Sequence, residues 1–326
     1  MLEAAQHLAD DVLFPRALET DQAELVPKDL LDQLAAAGLY GLTGPAEFGG
    51  AGISDRRTAW RTVEWLASGC LTTAFVWAQH LGTVTAIAER AGHELRDCWL
   101  PSLCTGEIRS GVAFSALRRP GPPMLTASPG AGGWVLRGSA PWVSGWGRID
   151  VIRVAARHGE NIVWTLVDVA PGPALQAEPL ELAAVNASGT VTLRFRGLAV
   201  PEDRVIVIEP FEAWRARDRE GLRLNGSHAL GVAGRCLALL GDTATMREVS
   251  DLNRARSDLD SATADTLPQV RARASRLTMR LAERLVISGG GGSILLTHHA
   301  QRLAREALFL LVFGQTPAIR AQQLAE

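Results

Sequence analysis

From the first residue to about Gly106 the apolar positions recur at helical spacing. In LVPKDLLDQLAAAGLYGL, Leu30, Leu31, Leu34 and Leu39 share one face, and Gly38 and Gly41 supply stop signals. Residues 57–91 read as two further helices, interrupted near Ser68 and Gly69. The pattern changes between Ile108 and about Val207, where GGWVLRGSAPWVSGW, IDVIRVAARH, NIVWTLVDV and GTVTLRFRGLAV are short β-branched and aromatic runs parted by Gly, Pro, Asn and Asp. Short strands without helical period between them predict a sandwich or barrel. From Phe211 onward helical period returns, with helices expected at 222–240, 243–259, 267–287 and 294–313, punctuated by Gly241, Pro268 and four glycines at 289–292. The expectation is an α+β chain: an N-terminal helical domain at 1–107, a central β-domain at 108–208 and a C-terminal helical bundle at 209–326.

Composition narrows the function classes. A chain of 326 residues with 47% hydrophobic residues can bury a large core. A formal net charge of -2 argues against nucleic acid as a partner, since that needs a concentrated basic surface. No apolar run approaches the roughly 20 residues of a membrane span. The opening MLEAAQHLADDVLF carries acids where a signal peptide is basic, so a cytoplasmic protein is expected. Cys70, Cys98, Cys104 and Cys236 are too scattered for a zinc site or a disulfide framework. Nothing near His298 and His299 completes a metal set.

Four segments, in order, carry a resemblance. GLYGLTGPAEFGGAG at 38–52, TTAFVWAQHLG at 72–82 with DCWLPSLCTGE at 97–107, WVLRGSAPWVSGWGRIDVIRVAA at 134–156 and SGTVTLRFRGLAVPEDRVI at 188–206 are similar to stretches of the acyl-CoA dehydrogenase family of FAD flavoproteins. The resemblance runs along the whole chain. It implies that family's fold, helical domain, β-domain and bundle, here shortened. It also implies FAD as cofactor, an acyl-CoA thioester as substrate and an oligomer of like chains, or of this chain with a longer acyl-CoA dehydrogenase.

The resemblance places Trp142 against the flavin, the Ser144 hydroxyl near flavin N5, and Ser115 where the family carries a threonine of its T-E-P-G-A-G-S-D motif. By themselves Trp142 and Trp146 read rather as core residues of strands, and Ser144 as a turn hydroxyl. VISGGGGSILLTHHAQRL at 286–303 is similar to a turn that approaches a neighbouring chain's FAD, which implies that role for Gly289, Gly290 and Gly292; a plain interhelical turn fits as well. Val286 stands where the family has a glutamine, and the T-E-P-G-A-G-S-D motif has become SALRRPGPPML. Arg118 and Arg119 there suit a phosphate or plain solvation. An R-x-x-F-G element is missing, and 241–266 is short for the family's long helix hairpin.

The reaction implied by the resemblance, α,β-dehydrogenation of a thioester, needs a base for the α-proton, which a desolvated carboxylate provides. The usual glutamate precedes a Gly-Thr turn whose counterpart here is Phe313, Gly314, Gln315 and Thr316, so Gly314 stands in its place. Some members carry the acid at the start of the first C-terminal helix, which nominates Glu220 in RDREGLRLNG; a helix-end carboxylate is the plain alternative. Three functions are open: a dehydrogenase with Glu220 as base, a non-catalytic subunit whose partner supplies the base, or a flavin monooxygenase on the same fold. The second resembles short members from actinobacterial steroid degradation.

Overall fold

The computed structural model describes every residue except Ser54 and Glu326, and every side chain except those two and Arg219 and Glu220. The leading helices are α1 (Leu2–His7), running into a π-helical turn at Leu8–Leu13, α2 (Ala17–Gln22), α3 (Lys28–Ala36), α4 (Arg56–Gly69), α5 (Leu71–Arg90) and α6 (His93–Thr105). Asp55 caps α4 by accepting from the Arg57 amide. The α4–α5 break falls at the extended Cys70, one residue beyond the expected place. Leu30, Leu31, Leu34 and Leu39 are all buried, as their spacing predicts.

The strands are β1 (Ser110–Ala113), β2 (Leu125–Gly130), β3 (Gly133–Val143), β4 (Val151–His158), β5 (Asn161–Asp168), β6 (Leu175–Pro179), β7 (Val191–Pro201) and β8 (Val205–Pro210). Neither a sandwich of two sheets nor a closed barrel results. One sheet forms in the order β6-β7-β3-β2-β4-β5-β8, with β1 parallel to β4. Register shifts in β3 after Leu136 and after Ala140 bend it, and residues from β3, β4, β5 and β7, such as Leu136, Ile152, Val163 and Leu193, meet in one core. Residues of the opposite face, Val151, Ala155 and Trp164, pack with Val84 and Ile87 of α5 and with Leu100 and Leu103 of α6.

The C-terminal helices are α7 (Phe211–Leu240), α8 (Met246–Asp260), α9 (Leu267–Gly289), α10 (His299–Val312) and α11 (Pro317–Ala325). Two boundaries depart from expectation. Helix α7 begins at Phe211 rather than near 222, because Pro210 ends β8 and opens the helix directly; the charged stretch beyond it has no apolar stripe to announce it. Residues 294–298 are not part of α10: a 3-10 turn spans Gly290–Ile294 and His298 caps α10 through its ring. Helix α8 starts with a reciprocal capping box between Thr245 and Glu248. Among the described residues no helix is long and apolar enough to cross a membrane.

Helix α7 joins the two helical regions. A Cβ on Gly231 would lie 2.3 Å from the Glu64 carbonyl oxygen of α4, so the two helices meet main chain to main chain at this point. Alanine gains about 1 kcal/mol over glycine from helix propensity, but the obstruction is main chain and cannot rotate away. Gly231→Ala is therefore expected to destabilise the fold by about 1–3 kcal/mol, read as a lower midpoint in denaturant unfolding with unchanged slope.

Candidate active site

The turn expected to bear the base is built by three helices around its backbone. Helix α10 ends at Val312 with Phe313 as its extended C-cap, and the Thr316 hydroxyl accepts from the Ile319 amide to start α11. The Phe313 ring packs edge-on to Phe75 of α5 at 5.1 Å and to His228 of α7 at 5.4 Å, and stacks with Phe309 at 5.3 Å. From α9, Arg271 donates to the Phe313 carbonyl at 3.1 Å. Gln315 donates to Gln323 at 2.7 Å, tying the turn to α11.

Gly314 has φ +62°, the left-handed region that disfavours a side chain. A Cβ there would lie 2.3 Å from the Asn225 amide nitrogen of α7. The place of the expected acid is thus filled from the opposite helix by a neutral amide. Around it the charge is positive. Arg271 is only 1% exposed, its Nε and one terminal nitrogen have no acceptor among the described residues, and burial together with the Arg223 charge pushes its pKa down to about 10. At neutral pH it is still a cation. Arg223 meets Asp260, which also holds Arg61 at 2.6 Å. Glu220 lies on α7, but its side chain falls outside the described residues.

The flavin-side candidates gather at the ends of β1 and β3. Ser115 donates to the carbonyl of Pro141, the residue before Trp142, at 2.5 Å. Trp142 is 50% exposed and has φ +62°, in the β3 irregularity facing β7. Ser144 is 3% exposed, and its hydroxyl pairs with Thr190 at 2.8 Å, which in turn meets Ser188 at 2.7 Å. Trp146 is partly buried against the sheet core. For an isoalloxazine the described residues therefore fit a flat wall, Trp142, while the Ser115 and Ser144 hydroxyls are engaged within the chain. The Arg118 fork is also engaged, by both oxygens of Asp218 at 2.7 Å.

The glycines lie apart from these, in the turn between α9 and α10. A Cβ on Gly289 would meet the Ser293 hydroxyl at 2.2 Å, whereas at positions 290, 291 and 292 it would meet nothing among the described residues within 4 Å. Ile287, Ile294, Leu295 and Leu296 beside them are exposed. A cleft of about 590 Å³ elsewhere, between α1, α4, α7 and α8 and lined by Trp65, Gly234 and Arg235, includes none of the candidates. Sequence reasoning missed Asn225 and Arg271. A polar residue before a helical glycine and one arginine among several in RARASRLTMR carry no signal of which face they take.

Two buried histidines complete the surroundings. His80 donates to the Leu103 carbonyl and accepts from the Ser110 amide, both at 3.0 Å, and burial pushes its pKa down to about 3. For His228, burial and then Arg271 push it to about 3, and neither ring nitrogen has an acceptor or donor in hydrogen-bonding geometry.

Two measurements check this geometry. Gly314→Glu is expected to destabilise the chain by about 1–2 kcal/mol, the cost of a left-handed side-chain-bearing residue. Adding Asn225→Ala should recover part of that loss, so a double-mutant cycle in urea gives a coupling rather than additivity. The histidines have folded pKa values below their unfolded value of about 6.5, so the unfolded chain binds protons first as pH falls. Their contribution is whole above pH 6.5 and is lost between there and about pH 3, by up to about 1.4 kcal/mol per pH unit for each ring. His228→Leu should flatten the acid limb of stability against pH by one proton; parallel curves for the two proteins would contradict the assignment.

Known proteins fit this architecture. Residues 1–107 match the family model described as acyl-CoA dehydrogenase, N-terminal domain. The chain is 25% identical over 205 residues to (2S)-methylsuccinyl-CoA dehydrogenase of Cereibacter sphaeroides, covering 56% of this chain and 36% of that one. It is 24% identical over 222 residues to the human mitochondrial short-chain specific acyl-CoA dehydrogenase, covering 63% and 52%. It thus spans between about a third and a half of the length of these relatives. Butyryl-CoA dehydrogenase from Megasphaera elsdenii superposes with a TM-score of 0.85 at 18% identity over 99% of this chain and 95% of that one, a likeness of fold. Sequence along the N-terminal helices and fold along the whole length point the same way: residues 1–107 match the N-terminal domain of the acyl-CoA dehydrogenases, and the whole chain shares their fold.

Proposed function

We propose that this chain works on an acyl-CoA thioester as one subunit of an FAD-containing acyl-CoA dehydrogenase assembly, and that the proton acceptor comes from another chain. The observation that carries this reading is position 314, where a left-handed glycine faces the Asn225 amide. An amide does not take up a proton at neutral pH, and Arg271 beside it adds a cation rather than an acid. FAD, when bound, supplies the acceptor for the hydride lost from the β-carbon. This chain's part is to position and exclude water: Trp142 offers an aromatic wall, and the Phe75, Phe309 and Phe313 rings close the helix junction beside the turn.

Assembly with a longer family member draws support from the turn between α9 and α10. Its open glycine backbone at 290–292 is flanked by exposed Ile294, Leu295 and Leu296, a surface that loses apolar area to water only if another chain covers it. The backbone amides there suit an anionic group such as a pyrophosphate held by that chain. A cytoplasmic location belongs to the same reading.

The chain alone and the chain co-expressed with a longer homologue are to be compared for flavin content and for bleaching of bound flavin by acyl-CoA. Co-expression is expected to give a yellow complex that bleaches, and the chain alone to give none. Turnover by the chain alone with FAD would refute the borrowed base and turn attention to Glu220, through Glu220→Gln.

A further inference from the structure

Away from that centre, a second cationic side chain has no acid of its own among the described residues. Arg153 projects from β4 on the face it shares with Val151 and Ala155, toward the apolar layer under α5. Its guanidinium carbon lies 4.8 Å from the Trp164 ring centroid and 6.0 Å from that of Phe114. A Cβ on Gly82 of α5 would come within 3.2 Å of one terminal nitrogen, so the absence of a side chain at 82 gives the guanidinium its room. Nε is sealed from solvent without an acceptor, while the terminal nitrogens are not among the sealed atoms. Among the described residues none forms a hydrogen bond or ion pair with any of the three. Burial first, then the Arg90 charge, lowers its pKa to about 10, which leaves it charged at neutral pH.

The nearby acids are already occupied. Glu209 accepts from Arg90 at 2.7 Å, from the Trp164 indole at 2.8 Å and from Arg217. Asp218 receives Arg118, which lies over the other side of the arrangement at 4.9 Å from the Phe114 ring centroid. Arg90, Arg217 and Arg118 thus take up the two carboxylates, and Arg153 is left without one. Aromatic rings attract the cation, yet they accept none of its in-plane N–H donors, which stay open. A planar two-oxygen anion matches such a fork better than a tetrahedral one, which needs donors from several directions.

From this we infer that Arg153 is a recognition site for a carboxylate-bearing ligand, whose apolar part lies against the partly buried Phe114. Where that ligand is an acyl thioester the inference rests on the function proposed above, and the carboxylate then belongs to the acyl group. A small carboxylate tests the site without that premise.

The test titrates the wild-type protein and Arg153→Met with succinate and with inorganic phosphate at constant ionic strength, following binding by calorimetry. Succinate is expected to bind the wild type at least tenfold more tightly than phosphate, and to lose at least tenfold in affinity in Arg153→Met. Because the variant can fail to fold, phenylglyoxal modification of the wild type, read by mass spectrometry on the peptide containing Arg153, serves as a second measurement; succinate should slow it and phosphate should not. Succinate that does not bind, that binds both proteins alike or that leaves the modification rate unchanged overturns the site, and so does a preference for phosphate. In the co-expressed assembly, succinyl-CoA should bind more tightly than butyryl-CoA only while Arg153 is present. If free succinate depends on Arg153 but neither thioester binds, the carboxylate site stands and the acyl-thioester reading falls.

Discussion

One packing constraint governs the helical half of the molecule: α7 must lie against α4 and α9 together. Toward α4 the contact is close enough to exclude a methyl group at Gly231, and Arg235 of α7 donates to the Ser68 carbonyl at 2.8 Å. Toward α9, Thr278 donates to the Ala229 carbonyl at 2.9 Å, and Gly226 leaves room for the Arg271 chain. With α7 held on two sides, Asn225 and His228 have little freedom to turn elsewhere. The turn after α10 then rests on side chains whose positions are already set.

On the proposed reading, that setting makes the glycine at 314 more than the absence of one carboxyl group. A general base for an α-proton benefits from desolvation that raises its pKa toward neutrality. Arg271, buried and without a counter-ion among the described residues, would instead favour the ionised form of any acid placed beside it and hold it as an ion pair. The left-handed backbone, the Asn225 amide and the Arg271 cation all act against a functional carboxylate, and they come from the turn after α10, from α7 and from α9. Agreement between local conformation, packing and charge is what marks a settled feature of a sequence.

How much of this the sequence discloses depends on whether a feature is local. The Leu30 to Leu39 face, the α4–α5 break and the strand runs come from period and breakers, and they appear nearly where expected. The first turns of α7 do not, because EAWRARDRE is charged around its circumference and gives no stripe. The curl of the sheet depends on two irregularities in β3 that no composition rule announces. At the site, Gly314 is legible only through the family resemblance, and Asn225 is not legible at all, since its contact is made across 89 positions of chain. Arg153 is hidden in a strand whose alternation looks ordinary; its isolation is a property of which acids its neighbours have already engaged.

Trp142 shows how the β-domain contributes on the proposed reading. A left-handed backbone at a residue other than glycine costs about 1–2 kcal/mol, and a half-exposed indole gains little burial in return. The next four residues hold the conformation: Val143 is buried, Ser144 is locked to Thr190, and the Gly145 and Trp146 amides donate to the Ser188 and Gly189 carbonyls at 2.7 and 3.1 Å. Relaxing Trp142 would require breaking that ladder. The strand therefore keeps a rigid aromatic face turned outward at a cost that this chain alone does not recover, and a planar partner stacked on the ring would recover it.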